Sequence, residues 1–173
     1  MMKIYFITGG ARSGKSAFAL LKASGRMGSK AYVATAEALD DEMKERIHRH
    51  KTERGNDWDT YEEPLNIADT LQDIKGRYNT ILLDCLTLWL SNTLIKSEQP
   101  EESIDAFIDR LNSLNSLDGL HIYIVSNEVG MGIVPDNALS RRFRDLAGTL
   151  NQRIAALADE VNLVIAGIPV KIK

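Results

Sequence analysis

Residues 9–16 read GGARSGKS, between the apolar run KIYFIT at 3–8 and a helical pattern that starts at Lys15. The octet fits G-x-x-x-x-G-K-[ST]. Its glycines let the backbone curl so that several N–H groups point into one hollow. The following helix N-terminus adds partial positive charge where a phosphate would sit. Lys15 is placed to reach β- and γ-phosphates, and the Ser16 hydroxyl to ligate Mg²⁺. A plain glycine-rich turn is the alternative, but motif, preceding strand and following helix together favour nucleotide binding by Gly9, Gly10, Ala11, Arg12, Ser13, Gly14, Lys15 and Ser16. A carboxylate at the end of another apolar strand is the expected second metal group, and Asp84 closes the run TILLD.

Outward from this loop, short apolar runs alternate with helical patterns. Strands are expected at 3–8, 31–35, 80–84, 121–126 and 161–166, with a further short one at 169–172 whose direction is open. Their nearly continuous apolar character is that of parallel strands buried on both faces. Helices are expected at 15–26, 40–53, 64–75, 88–96, 101–115 and 137–159. In the last, Leu139, Phe143, Leu146, Leu150, Ile154, Leu157 and Val161 recur at spacings of three and four as one apolar stripe. The alternation gives an α/β fold, an open, mostly parallel sheet flanked by helices; with the phosphate loop it resembles the P-loop NTPase, RecA-like architecture. Ligands bind such sheets at the carboxyl ends of the strands, which here carry Gly9, Thr35, Asp84, Asn127 and Gly167.

Composition sets limits. The chain has 173 residues, which favours one domain, and is 44% hydrophobic and 26% charged. A net charge of −3 argues against a nucleic-acid partner, whose binders are usually basic. The single cysteine, Cys85, excludes an internal disulfide and a multi-cysteine zinc site, and fits a reducing cytoplasm. The start MMKIYFITGG is too short an apolar run for a signal peptide, and no run nears the ~20 residues that span a bilayer. A cytoplasmic protein is expected.

The run RIHRHKTER at 46–54 holds two of the three histidines. Asp40 can cap a helix here, and Met43, Ile47, His50 and Arg54 share one of its faces, turned inward by its two apolar members. His48 points elsewhere. On spacing alone a structural role for His50 is the simpler reading. A metal site is weaker still, since His48 and His50 are two apart and no cysteine or third histidine lies near. The charges of Arg46, Lys51 and Arg54 shift the balance, because they suit phosphates and favour a neutral, nucleophilic imidazole.

Further stretches carry a family resemblance: YVATA (32–36), DDEMKERIHRHKTER (40–54), ILLDCLT (81–87), SNEVGMGIVPDN (126–137), RRFRDLAG (141–148), NQRIAALADEV (151–161) and the closing AGIPVKIK. With the phosphate loop, the sequence resembles the adenosylcobinamide kinase/adenosylcobinamide-phosphate guanylyltransferase family of cobalamin biosynthesis. The phosphate loop is shared by many enzymes; NEVGMGIVP and AGIPVKIK are far more specific. The resemblance implies phosphorylation of adenosylcobinamide by GTP or ATP. Transfer of GMP from GTP through a histidine then gives adenosylcobinamide-GDP. It implies His50 as the GMP carrier. It further implies GTP contacts from residues 9–16, Ala34, Thr35, Ala36, Lys51, Thr52, Glu53, Arg54, Glu62 and Asp84, and a homo-oligomer, a trimer. A carboxylate such as Glu62 can accept both N1–H and N2–H of guanine. The competing readings are a P-loop kinase of another small metabolite with a structural His50, and a nucleotide-switched module in which the loop 128–137 signals to a partner.

Overall fold

The computed structural model describes residues 1–38 and 40–173, and within them all side chains but those of Glu42, Arg46, His50 and Glu53. Seven strands form one sheet: β1 (Lys3–Gly9), β2 (Lys30–Ala34), β3 (Asp59–Glu62), β4 (Thr80–Asp84), β5 (His121–Asn127), β6 (Glu160–Ile165) and β7 (Ile168–Lys171), in the order β3-β2-β4-β5-β1-β6-β7. All neighbours are parallel except β6 and β7. The helices are α1 (Lys15–Ser24), α2 (Asp41–Arg54), α3 (Ile67–Asp73), α4 (Leu86–Lys96), α5 (Pro100–Leu114) and α6 (Ala138–Leu157).

The alternation along β1 shows why the strands are apolar throughout. Ile4 and Phe6 join the core beneath α3, α4, α5 and α6, whereas Tyr5 and Ile7 join the one beneath α1. Each strand residue is therefore covered on its own face. Helix starts are local: Asn137 accepts from the Ser140 N–H at 2.7 Å, and Pro100 opens α5 with Glu101 and Glu102 in its first turn.

The structure corrects three expectations and decides one left open. Strand β3 was not anticipated: Asp59, Thr60 and Glu62 are exposed, and only the free edge of β2 gives this polar segment a partner. Helix α3 starts later than 64, because the Glu63 carboxylate accepts from the N–H groups of Leu65 and Asn66 at 2.8 and 2.7 Å and holds a turn there. The α6 stripe is shorter than expected: Leu139 is 57% exposed, Val161 belongs to β6, and Leu150 and Ile154 do the burying. The last strand begins at Ile168 and is antiparallel, turned back by Ala166 (φ 50°) and Gly167 (φ 82°), the two positive angles of a tight hairpin.

Glu160, opening β6, ties α1 to the sheet edge. It accepts from Lys22 Nζ at 2.5 Å and Asn162 Nδ2 at 2.8 Å, and these bonds hold its carboxyl down to about 2. Such a group stabilises the fold above its unfolded-state pKa and loses that contribution as the folded form protonates. Glu160→Gln should lower the melting temperature by about 2–4 °C at pH 7, the discounted worth of a part-exposed pair in a chain of this size. The gap should close as pH falls from about 4.5 towards 2. Thermal melts of both proteins across that range check it; a gap that persists at pH 2 would assign the effect to packing.

Candidate functional site

The phosphate loop is clamped on both sides. Gly9 ends β1, and a Cβ there would lie 2.4 Å from the Val164 carbonyl oxygen and 2.7 Å from Ser13 Oγ. Its own carbonyl accepts from the Glu128 N–H at 3.0 Å, at the end of β5. On the other side, the Gly167 N–H donates to the Ser13 carbonyl at 2.8 Å. Gly14 enters α1 with φ 90°, and a Cβ there would meet Gly167 Cα at 3.3 Å. The hairpin β6–β7 is thus a buttress for the loop. Arg12 has φ 55° at its exposed apex. Lys15 is 6% exposed and donates from Nζ to the Gly10 carbonyl at 3.0 Å. Ser13 is buried, and Ser16, one residue into α1, is half-buried.

Beside this loop lies a cavity of about 490 Å³, within the range of small-molecule sites. Ala34 ends β2, Glu62 ends β3 and Asp84 ends β4; Ala36 follows from the loop after β2; α2 supplies Met43, Ile47, Lys51 and Arg54. Met43, Ile47 and Arg54 of the inward face expected of α2 thus line the cavity, and its Asp40 cap accepts from the Met43 N–H at 2.7 Å. Lys51 and Glu62 form an ion pair across the mouth. Arg54 is the one buried side chain among the described residues of α2, and its guanidinium carbon lies 3.8 Å from the centroid of the Tyr32 ring. The Tyr32 hydroxyl donates to Asp84 Oδ2 at 2.9 Å. Burial and the Asp84 charge push this phenol well above its ordinary value.

Thr35 is buried with its groups spent inside the fold. Its hydroxyl donates to the Cys85 carbonyl at 2.7 Å and accepts from the Cys85 N–H at 2.8 Å, and Asn92 Nδ2 donates to its carbonyl at 2.9 Å. Thr35 therefore acts on the site through the backbone that carries Asp84 and Cys85. Burial, with Asp84 beside it, raises the Cys85 thiol to about 11, so it stays protonated at neutral pH. Thr52 lies away from the cavity, its hydroxyl donating to the His48 carbonyl at 3.0 Å. His50 and Glu53 belong to α2, but their side chains lie outside the described residues.

The structure thus gathers Ala34, Ala36, Lys51, Arg54, Glu62 and Asp84 around one cavity, which no residue of the loop 9–16 lines. Sequence reasoning missed Tyr32, Cys85 and Leu88 as lining residues. A tyrosine inside an apolar strand was the available signal, because a buried hydroxyl needs a partner.

The profile of the family described as cobinamide kinase / cobinamide phosphate guanyltransferase matches residues 5–172. The chain belongs to this family. The match takes in both the phosphate loop and the cavity. The bifunctional adenosylcobalamin biosynthesis protein CobU of Salmonella typhimurium is 44% identical over 185 residues, covering 96% of this chain and 98% of its own. The corresponding CobP protein of Pseudomonas aeruginosa is 43% identical over 167 residues, covering 96% and 95%. Among solved structures, a prototypical ATPase from the type III secretion system of pathogenic bacteria superposes with a TM-score of 0.57 at 10% identity, over 98% of this chain and 56% of the ATPase. That likeness is one of fold alone. Among the described residues no helix is long and apolar enough to cross a membrane.

Proposed function

We propose that this chain phosphorylates adenosylcobinamide and then guanylylates the product, giving adenosylcobinamide-GDP. The observation that carries the reading is the pairing of a phosphate loop, whose Lys15 charge is felt at Cys85, with a cavity walled by α2 that Asp84 and Cys85 line. In the first step the substrate hydroxyl attacks the γ-phosphorus of GTP or ATP. The bond to the β,γ-bridging oxygen breaks, the nucleoside diphosphate leaves and the hydroxyl proton is lost. Lys15 sits at the β/γ-phosphates. In the second step an imidazole nitrogen of His50 attacks the α-phosphorus of GTP and pyrophosphate departs. A phosphate oxygen of the cobinamide phosphate then displaces the histidine and takes the GMP.

Mg²⁺ would be held by the Ser16 hydroxyl and the Asp84 carboxylate. These are hard oxygen donors, two in number, as suits a cation that keeps waters and takes phosphate oxygens. Bound there, the ion neutralises charge on the β- and γ-phosphates. The α- and γ-phosphates lie apart, so one seating of α2 does not serve both steps. Among its described residues α2 buries only Arg54, which leaves it little to lose on shifting. A homotrimer fits the exposed Met131, Ile133 and Val134 of the loop before α6 and the exposed Ile165, Ile168 and Ile172 of the β6–β7 hairpin, apolar surface that a second copy would cover.

After incubation with GTP and Mg²⁺, intact mass should show one added GMP, acid-labile and alkali-stable as a phosphoramidate is. His50→Ala should lose both the adduct and adenosylcobinamide-GDP yet keep part of the kinase activity. An adduct that persists in His50→Ala but not in His48→Ala would move the nucleophile two residues back. If Glu62 accepts from guanine, Glu62→Gln should reduce GTP use in nucleotidyl transfer roughly tenfold, the worth of a hydrogen bond to a charged acceptor. Equal GTP affinities in the two proteins would return Glu62 to its ion pair with Lys51 alone. Sedimentation velocity should find a trimer; a monomer at micromolar concentration would leave the apolar patches unexplained.

A further inference from the structure

Tyr32 lies in the middle of β2 and is 4% exposed. Phenylalanine would fill that place as well, so core packing does not account for the hydroxyl. The hydroxyl is committed to Asp84 Oδ2 at 2.9 Å, 52 residues away in the chain. The ring is committed as well. The Arg54 guanidinium lies 3.8 Å over it, and the Trp58 ring meets it at 87° with centroids 6.2 Å apart. One side chain therefore touches both the carboxylate that ends β4 and the last residue of α2.

We propose that Tyr32 is a positioning residue of the phosphoryl-transfer site: its hydroxyl sets the orientation of the Asp84 carboxylate, and its ring, under Arg54, couples that orientation to the seating of α2. The inference rests on the assignment of Asp84 to Mg²⁺ and of His50, on α2, to GMP. A hydrogen bond to one oxygen stops the carboxylate rotating about its last torsion, which is soft and broad when unrestrained. Partners of ligating carboxylates characteristically set metal affinity in this way. The stack works from the other side. A helix that lifts takes the guanidinium off the ring, and the phenol loses a wall that holds it toward Asp84. The kinase carboxylate is thereby informed of where the guanylyl helix stands.

Two variants separate the halves. Tyr32→Phe removes the hydroxyl and keeps the ring; Tyr32→Leu removes both. Calorimetric titration with the β,γ-imido analogue of GTP, in Mg²⁺ and in EDTA, reads the first half. In Tyr32→Phe the affinity in EDTA should match wild type, while the Mg²⁺ concentration giving half of the metal's effect rises roughly tenfold. Kinase kcat should largely recover at saturating Mg²⁺. Amide hydrogen exchange at 47–54 reads the second half, and it should be faster in Tyr32→Leu than in Tyr32→Phe, which should resemble wild type. An unchanged Mg²⁺ half-point in Tyr32→Phe overturns the hydroxyl's role, even if the melting temperature falls. Equal exchange in Tyr32→Phe and Tyr32→Leu overturns the coupling. Wild-type protein that binds the analogue no better with Mg²⁺ than without would sink the metal assignment itself, and this inference with it.

Discussion

The site depends on a junction with no spare room. The backbone of β1 passes Val164 so closely at Gly9 that a Cβ would sit 2.4 Å from its carbonyl oxygen. That approach lets the loop turn over the sheet edge while β5 and the β6–β7 hairpin each donate an N–H to it, from Glu128 and Gly167. A loop so pinned presents its own N–H groups and the start of α1 in a fixed direction. Phosphate recognition rests on such preorganisation, because the donors are paid for in folding rather than in binding.

The sheet is loaded unequally, and the inequality leaves space for chemistry. Four helices cover one face and bury its core side chains, from Met2 on the amino side to Ala158 and Val161. The other face has α1, with Ala19 and Ala23 packed close, and Trp58 beyond it. Where α1 does not reach, α2 spans the ends of β2, β3 and β4 with a cavity beneath it. A helix seated over a cavity rather than a core is cheap to move.

Asp84 and Cys85 line the cavity, and their surroundings are rigid. Thr35 bonds the Cys85 backbone in both directions, Asn92 braces Thr35 and Pro64, and Tyr32 holds the carboxylate. The buried thiol, raised to about 11, is inert filler here rather than a nucleophile. Arg54 brings a cation to the same cluster and spends part of it on the Tyr32 ring.

What the sequence determined by itself was periodic or local. The glycine pattern of 9–16, the apolar strands covered on both faces, the Asp40 and Asn137 caps, and the shared face of Met43, Ile47 and Arg54 all follow from spacing along a few turns of chain. These are effects among neighbours, where backbone geometry alone says which side chains meet. Tertiary structure decided the rest. The polar segment DTYE became a strand only because β2 had a free edge, and Leu139, in the first turn of α6, stands 57% exposed outside the core. The Tyr32–Asp84 bond, the Thr35–Cys85 pair and the Lys51–Glu62 ion pair join residues brought together by strand order and register. Periodicity says which face a residue occupies, but not which strand will lie beside it.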